Sequence, residues 1–214
     1  MKANVQLFLI LVILVMFPAL TVFGETLPGA QYAWGNWQMK DGRLYQLDVK
    51  TGLAKMNLKV PQSGTMLYEF NVRYEGGAVE DRHGGFGIHV FVDKPHPGKA
   101  WGNGHSYLLW LNYDENATTV TKGFSAQLYK SVSHSRMDLI ADIDLNRYAY
   151  VLTVENLRVI VPVKIVINGN TGDVKIYDPV DPTWVYVFNL GNTAPLKGDY
   201  LALRSNSMAV SFGR

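Results

Sequence analysis

Four of the five histidines in the chain, His83, His89, His96 and His105, lie in and just after the stretch "EDRHGGFGIHVFVDKPHPG". Histidines this dense raise the question of a metal centre. A zinc site needs three or four ligands converging on one ion, and its sequence marks are close Cys/His pairs or a helical HExxH. Neither mark is present. His83 and His96 bracket a strand that carries His89. An eight-residue strand spans ~26 Å, which keeps the two loop histidines from sharing an ion. His89 is the one that matters, at mid-strand and opposite the apolar set Phe86, Ile88, Val90 and Val92. We expect no metal among the histidines and no cofactor. Calcium alone stays open, through Asp142, Asp144 and Asn146, or through Asp81, Asp114 and Glu115. Arg147 and Thr153 depart from the calcium-loop pattern at its glycine and closing glutamate.

Strands must position these residues, because apolar residues alternate with period 2 from about Arg43 onward. "MLYEFNVRYE" separates Met66, Tyr68, Phe70, Val72 and Tyr74 from Glu69, Asn71, Arg73 and Glu75. "SYLLWLNYD" places Trp110 and Asn112 opposite Tyr107, Leu109 and Leu111. Further strands are predicted over 43–49, 54–60, 124–131, 137–143, 148–154, 159–167, 173–177, 184–190, 199–204 and 208–212. "NGNTGD" at Asn168–Asp173 reads as a hairpin turn. No long 3.6-residue period appears outside the N-terminus. A dozen short strands without helices make a sandwich or a barrel.

The first 24 residues have the order of a secretory signal peptide: Lys2, an apolar run from Leu7 to Phe17, Pro18, then Val22-Phe23-Gly24. Cleavage is expected after Gly24, leaving residues 25–214 as one domain in the periplasm or outside the cell, with no stable membrane insertion. The absence of cysteine speaks against a disulfide scaffold and fits a bacterial exported protein. A net charge of +2 without a basic run gives no electrostatic footprint for nucleic acid.

The segments "MLYEFNVRYEGG", "GGFGIHVFVD", "SYLLWLNYD", "VPVKIVINGNTGDVKIYD" and "GDYLALRSNSMAVSFG" together resemble the concanavalin A-like lectin/glucanase superfamily, which includes laminin-G-like domains. The resemblance covers roughly Trp34 to Phe212. It implies an all-β jelly-roll sandwich of two antiparallel sheets with a concave face that binds saccharides in many members. On that face we place Arg73, His89, Trp110, Asn112, Gln127 and Tyr129, with Phe91 beside them, as ligand-binding residues. A pyranose packs its C–H face on an indole or phenol, and its hydroxyls need paired donors and acceptors.

The superfamily's glucanases carry a Glu-x-Asp-x-Glu strand that is missing here, and "DLIADIDLN" supplies only Asp138, Asp142 and Asp144. The alginate-lyase-like branch offers a nearer parallel. "GIH", with His89, resembles its Gln-Ile-His, and Arg73, Gln127 and Tyr129 or Tyr200 would complete a lyase set. Gly87 stands where that motif has Gln, however, and "DYLALRSN" lacks the Lys-Ala-Gly-x-Tyr signature. The expectation is therefore a non-catalytic, exported glycan-binding module. Two alternatives are a structural component of a periplasmic or surface assembly, anchored on a protein partner through Trp34, Trp37, Trp101 and Trp184, and a lyase-like enzyme using His89.

Overall fold

The computed structural model describes residues 28–151 and 153–213. The signal peptide expected over 1–24 lies outside the described residues.

Among the described residues, fourteen strands form two stacked antiparallel sheets in a jelly-roll sandwich. The first sheet has the order β1 (Ala30–Trp34), β4 (Ala54–Ser63), β13 (Lys197–Asn206), β6 (His83–Val92), β7 (Ser106–Asp114), β8 (Gly123–Ser131), β9 (Met137–Asp144). The second has the order β12 (Val185–Asn189), β11 (Asp173–Tyr177), β10 (Val161–Asn168), β5 (Thr65–Gly77), β14 (Met208–Gly213), β3 (Arg43–Gln46), β2 (Trp37–Lys40). Half of the neighbouring pairs, among them β4–β13, β13–β6 and β5–β14, are distant in sequence, as the return connections of a Greek key require.

Alternation decides which side chains fill the space between the sheets. Ile88, Leu109, Leu128 and Leu203 come from the first sheet, and Tyr68, Val72, Ile165 and Phe212 from the second. Burying side chains of this size contributes ~1.5–3 kcal/mol each. Phe212 is the aromatic hub, with Trp37, Phe70 and Phe86 at ring-centroid distances of 6.3, 6.2 and 6.3 Å. The hairpin predicted at Asn168–Asp173 joins β10 to β11. It closes through the Gly172 N–H, which donates to the Asn168 carbonyl at 2.7 Å, with Gly172 at φ +79°.

Two expectations about elements are corrected. The segment predicted as a strand over 148–154 is a 3-10 turn, Asn146–Val151, leading to a one-turn helix α1, Val154–Leu157. The segment pairs with neither sheet, and β9 stays the edge of the first sheet as the chain turns away from it. The Asn146 side chain caps that end instead, accepting from the Phe124 N–H at 3.0 Å and donating to the Lys122 carbonyl at 2.8 Å. The short strands β1 and β2 were not anticipated, being interrupted at Gly35 and too brief to alternate.

The ladder is irregular around Phe91. Two residues of β6 face one of β13 between His89 and Val92, and β4 slips against β13 between Lys59 and Gln62. These are β-bulges. Phe91 has φ +54°, rare for a bulky residue, which swings its side chain into the core rather than onto the face of His89 as alternation had implied. Gln62 supplies the hydrogen bonds that the bulges remove. Its Oε1 accepts from the Phe91 N–H (3.0 Å) and from the Tyr68 hydroxyl (2.7 Å), and its Nε2 donates to the Tyr200 carbonyl (2.6 Å).

Candidate functional site

Polar residues in β4 and β13 alternate with core residues just as His89 does in β6. Lys55 and Asn57 interleave with Ala54, Met56 and Leu58, and Arg204 follows Leu203. Cross-strand partners in an antiparallel sheet share a face, so the pairings define rows on the outer side of the first sheet. One row runs Trp34, Lys55, Arg204, Gly87, Trp110, Gln127, Asp142. The next runs Asn57, Ala202, His89, Leu108, Tyr129. A third runs Asn206, Gly85, Asn112, Ser125. At ~4.8 Å per strand, a seven-strand row crosses ~29 Å.

Of the predicted ligand residues, His89, Trp110, Asn112, Gln127 and Tyr129 therefore share one face. Arg73 does not. It lies on β5 in the second sheet, between the buried Val72 and Tyr74, and so points outward from the opposite side of the sandwich. There its Nε meets Glu75 at 2.8 Å and its Nη2 donates to the Tyr45 hydroxyl at 3.2 Å. The cations on the His89 face are Arg204 and Lys55 instead, which alternation within single strands did not single out, nor Asn57 beside them. Their period-2 placement was the available signal, but it does not tell which sheet a strand joins.

Two of the three glycines of "GGFG", Gly85 and Gly87, shape the floor. A Cβ on Gly85 would strike the Trp110 ring and the Leu111 carbonyl, and one on Gly87 would strike the Leu109 carbonyl. Their bareness lets the Trp110 indole lie across β6 toward Arg204, whose guanidinium carbon is 5.5 Å from that ring. Trp101, half exposed in the β6–β7 loop, covers Arg204 from above at 4.7 Å. One guanidinium is thus held between two indoles, a cation–π arrangement. Trp110 Nε1 donates to Asn112 Oδ1 (3.1 Å), and the Tyr129 hydroxyl donates to Gln127 Oε1 (2.7 Å). Asn112 and Tyr129 keep part of their surface in solvent, whereas Trp110 and Gln127 are mostly covered.

The loop Lys94–Gly104 roofs the rest. Its backbone carbonyls receive the donors of the face: Lys55 Nζ reaches Gly102 at 3.2 Å, Arg204 Nη1 reaches Trp101 at 2.6 Å, and Asn57 Nδ2 reaches His96 at 3.1 Å. Asn103 pins the loop by donating from Nδ2 to Asn57 Oδ1 (2.8 Å) and from its backbone N–H to Ser131 Oγ (2.9 Å). Beneath it His89 is fully buried. Its Nδ1 shares a hydrogen bond with Ser106 Oγ (3.1 Å), and its Nε2 has no partner. Burial, then the charges of Arg204 and Lys55, hold its imidazole well below the usual histidine range. Burial also lowers Lys55 to about 8 and Arg204 to about 10.

His96 and His134 stand edge to face at 5.0 Å beside the loop. Among the described residues no group of three His, Cys, Asp or Glu side chains is placed to hold a metal ion. Of the proposed calcium ligands, Asp142 accepts from the Thr121 N–H and from Gln127 Nε2, and Asp144 from the Asn146 N–H. No described helix is long and apolar enough to cross a membrane.

No family model matches the sequence, and no curated protein does. Solved structures do match. The chain is similar to the carbohydrate-binding module CBM66 from Bacillus subtilis, with a TM-score of 0.54, 13% identity, and coverage of 87% of this chain and 93% of that one. The fold is a concanavalin A-like jelly roll. The same likeness extends to the CBM2 module of the evolved Dit of Lactobacillus casei BL23 phage J-1 (TM-score 0.52, 12% identity, 83% of this chain and 76% of that one). It extends also to peanut lectin with a 9-mer peptide (TM-score 0.52, 11% identity, 89% of this chain and 92% of that one). Identity this low speaks for a shared architecture, on which many unrelated sites are built.

Proposed function

We propose that this protein is an exported, non-catalytic module that binds a glycan on the outer face of the first sheet. The observation that carries this reading is the Trp101–Arg204–Trp110 stack, bordered by Asn112, Gln127 and Tyr129. It combines a half-exposed indole with amide and hydroxyl groups, the pairing of apolar plate and polar edge that a pyranose needs. The carbohydrate-binding neighbours share the architecture and add support. His89 meets no solvent under the loop, so nothing in the resting arrangement favours a proton-transfer role for it. Export rests on the leader-like N-terminus alone. In a glycan-array screen followed by titration, Trp101→Ala is expected to weaken the best ligand about tenfold, given that a well-placed aromatic contact contributes up to ~1.5 kcal/mol. Its melting temperature should stay close to wild type, because half of that side chain is already in solvent. Unchanged affinity in that variant would remove the reading.

A second reading, attachment to a protein partner, is favoured by the opposite side of the sandwich. Leu67, Val185 and Val187 are exposed on the second sheet, with Trp184 leading into the edge strand β12. A hollow of about 650 Å³ lies close by, lined by Leu67, Pro162, Tyr177, Pro179 and Pro182 among others. Trp34, Trp101 and Trp184 are exposed as that reading requires, but Trp37 is not: it packs in the core against Phe212.

A further inference from the structure

Lys55 and Arg204 are cross-strand partners, each 1% exposed, and His89 is buried beside them. Among the described residues neither cation has an ion-pair partner; the ion pairs are all elsewhere, most of them on the surface. Asp142, on the same row, is separated from Arg204 by Gly87, Trp110 and Gln127 and is engaged with Thr121. Burying a cation without a counter-charge is costly unless something repays it. The neutral carbonyls of Trp101 and Gly102, the Asn206 amide oxygen that accepts from Arg204 Nε at 3.1 Å, and the two indoles about Arg204 repay only part. Lys55 spends one of three N–H bonds, Arg204 Nη2 makes no hydrogen bond to the described protein, and His89 Nε2 is unpartnered.

The geometry points to an anion site: Lys55, Arg204 and His89 together receive a carboxylate or sulfate carried by the saccharide, which displaces the Trp101 and Gly102 carbonyls. This deepens the glycan reading and rests on it. Charged oxygens make shorter and stronger hydrogen bonds to ammonium and guanidinium groups than neutral carbonyls do. A planar carboxylate can also take two parallel bonds from the Arg204 fork. The loop is tied down over these cations chiefly by hydrogen bonds, through Asn103, Lys55 and Arg204, and the incoming oxygens replace two of them. His89 Nε2 adds a donor when Ser106 donates to Nδ1.

The test is calorimetric titration of the full chain at constant ionic strength with polygalacturonate, methyl-esterified polygalacturonate, dextran, dextran sulfate and sodium sulfate. Wild type should prefer a charged polymer over its neutral counterpart by roughly tenfold or more. Lys55→Met should abolish that preference without lowering the melting temperature. Lys59→Met, which removes the same charge from an exposed position on the same strand, should keep it. A preference for polygalacturonate assigns a carboxylate and one for dextran sulfate assigns a sulfate; either supports the proposal. Equal affinity for charged and neutral polymers, or a preference that survives in Lys55→Met, overturns the anion site while leaving glycan binding intact. Sulfate binding lost in Lys55→Met, with no polymer bound, supports the anion site and removes the glycan reading instead.

Discussion

His89 is a buried base whose proton balance differs between the folded and unfolded chain. In the fold its imidazole is held well below 6.5 by burial and by Arg204 and Lys55. His134 is lowered in the same direction, by burial and then by His96. Below about pH 6.5 the unfolded chain therefore binds more protons than the folded one, and stability must fall as the pH drops. Above that range both rings are neutral in both states and cost nothing. Urea denaturation at pH 7.5, 6.5 and 5.5 should show this loss, and His89→Gln should make the slope shallower. An identical slope in that variant would mean the imidazole gains a proton while folded. Lys55 gives the complementary signature. Its ammonium is depressed from 10.5 to about 8, so stability rises as the pH increases between those values. Lys55→Met should flatten that rise. At this scale the sequence was legible in part. His89, Trp110, Gln127 and their neighbours stood out through alternation within single strands. Arg73 was misplaced because alternation tells which way a residue points and not which sheet its strand joins.

The loop between β6 and β7 does what an element of secondary structure would do, without being one. Asn103 is fully buried at its centre and bonds to both Asn57 and Ser131. Replacing it with Ala leaves a buried amide on Asn57 with an unpaired acceptor, a loss of ~1–3 kcal/mol. The expected consequence is local: hydrogen exchange in 94–104 should quicken in Asn103→Ala while β7 and β8 stay protected. If exchange quickened equally everywhere, the loop would be part of the cooperative core rather than a separate cover. This loop was visible in the sequence only as a Gly- and Pro-rich interval, "KPHPGKAWGNG". Its path over the sheet is set by hydrogen bonds to residues far away in the chain, such as Asn57 and Arg204, and such contacts leave no local pattern. The misread strand over 148–154 has the same cause. Its residues have the right composition for a strand, but the Asn146 side chain, bonded to Phe124 and Lys122, turns the chain away from the free edge of β9.

For the whole molecule, two unlike outer faces follow from one sandwich. The first sheet carries its polar residues under a cover, and the second exposes Leu67 on its central strand and Val185 and Val187 on its edge strand β12. Exposed apolar edge strands invite pairing with other chains. If that face binds protein, sedimentation should show concentration-dependent association that Val187→Lys reduces, with glycan affinity unchanged. A monomer at all concentrations, alone and mixed with candidate partners, would count against the second reading. The stacked antiparallel sheets and their core were legible because period-2 patterning extends along nearly the whole chain. The pairing order was not, since neighbours such as β13 and β6 are brought together by long return connections. Gln62 has a further consequence at this scale. It belongs to the first sheet, yet its oxygen also holds the Tyr68 phenol of the second. A single amide therefore acts as a rivet through both plates at the place where β4 and β6 bend. Curvature gained or lost in one plate is handed to the other at that point, and sliding one plate over the other would break this buried bond.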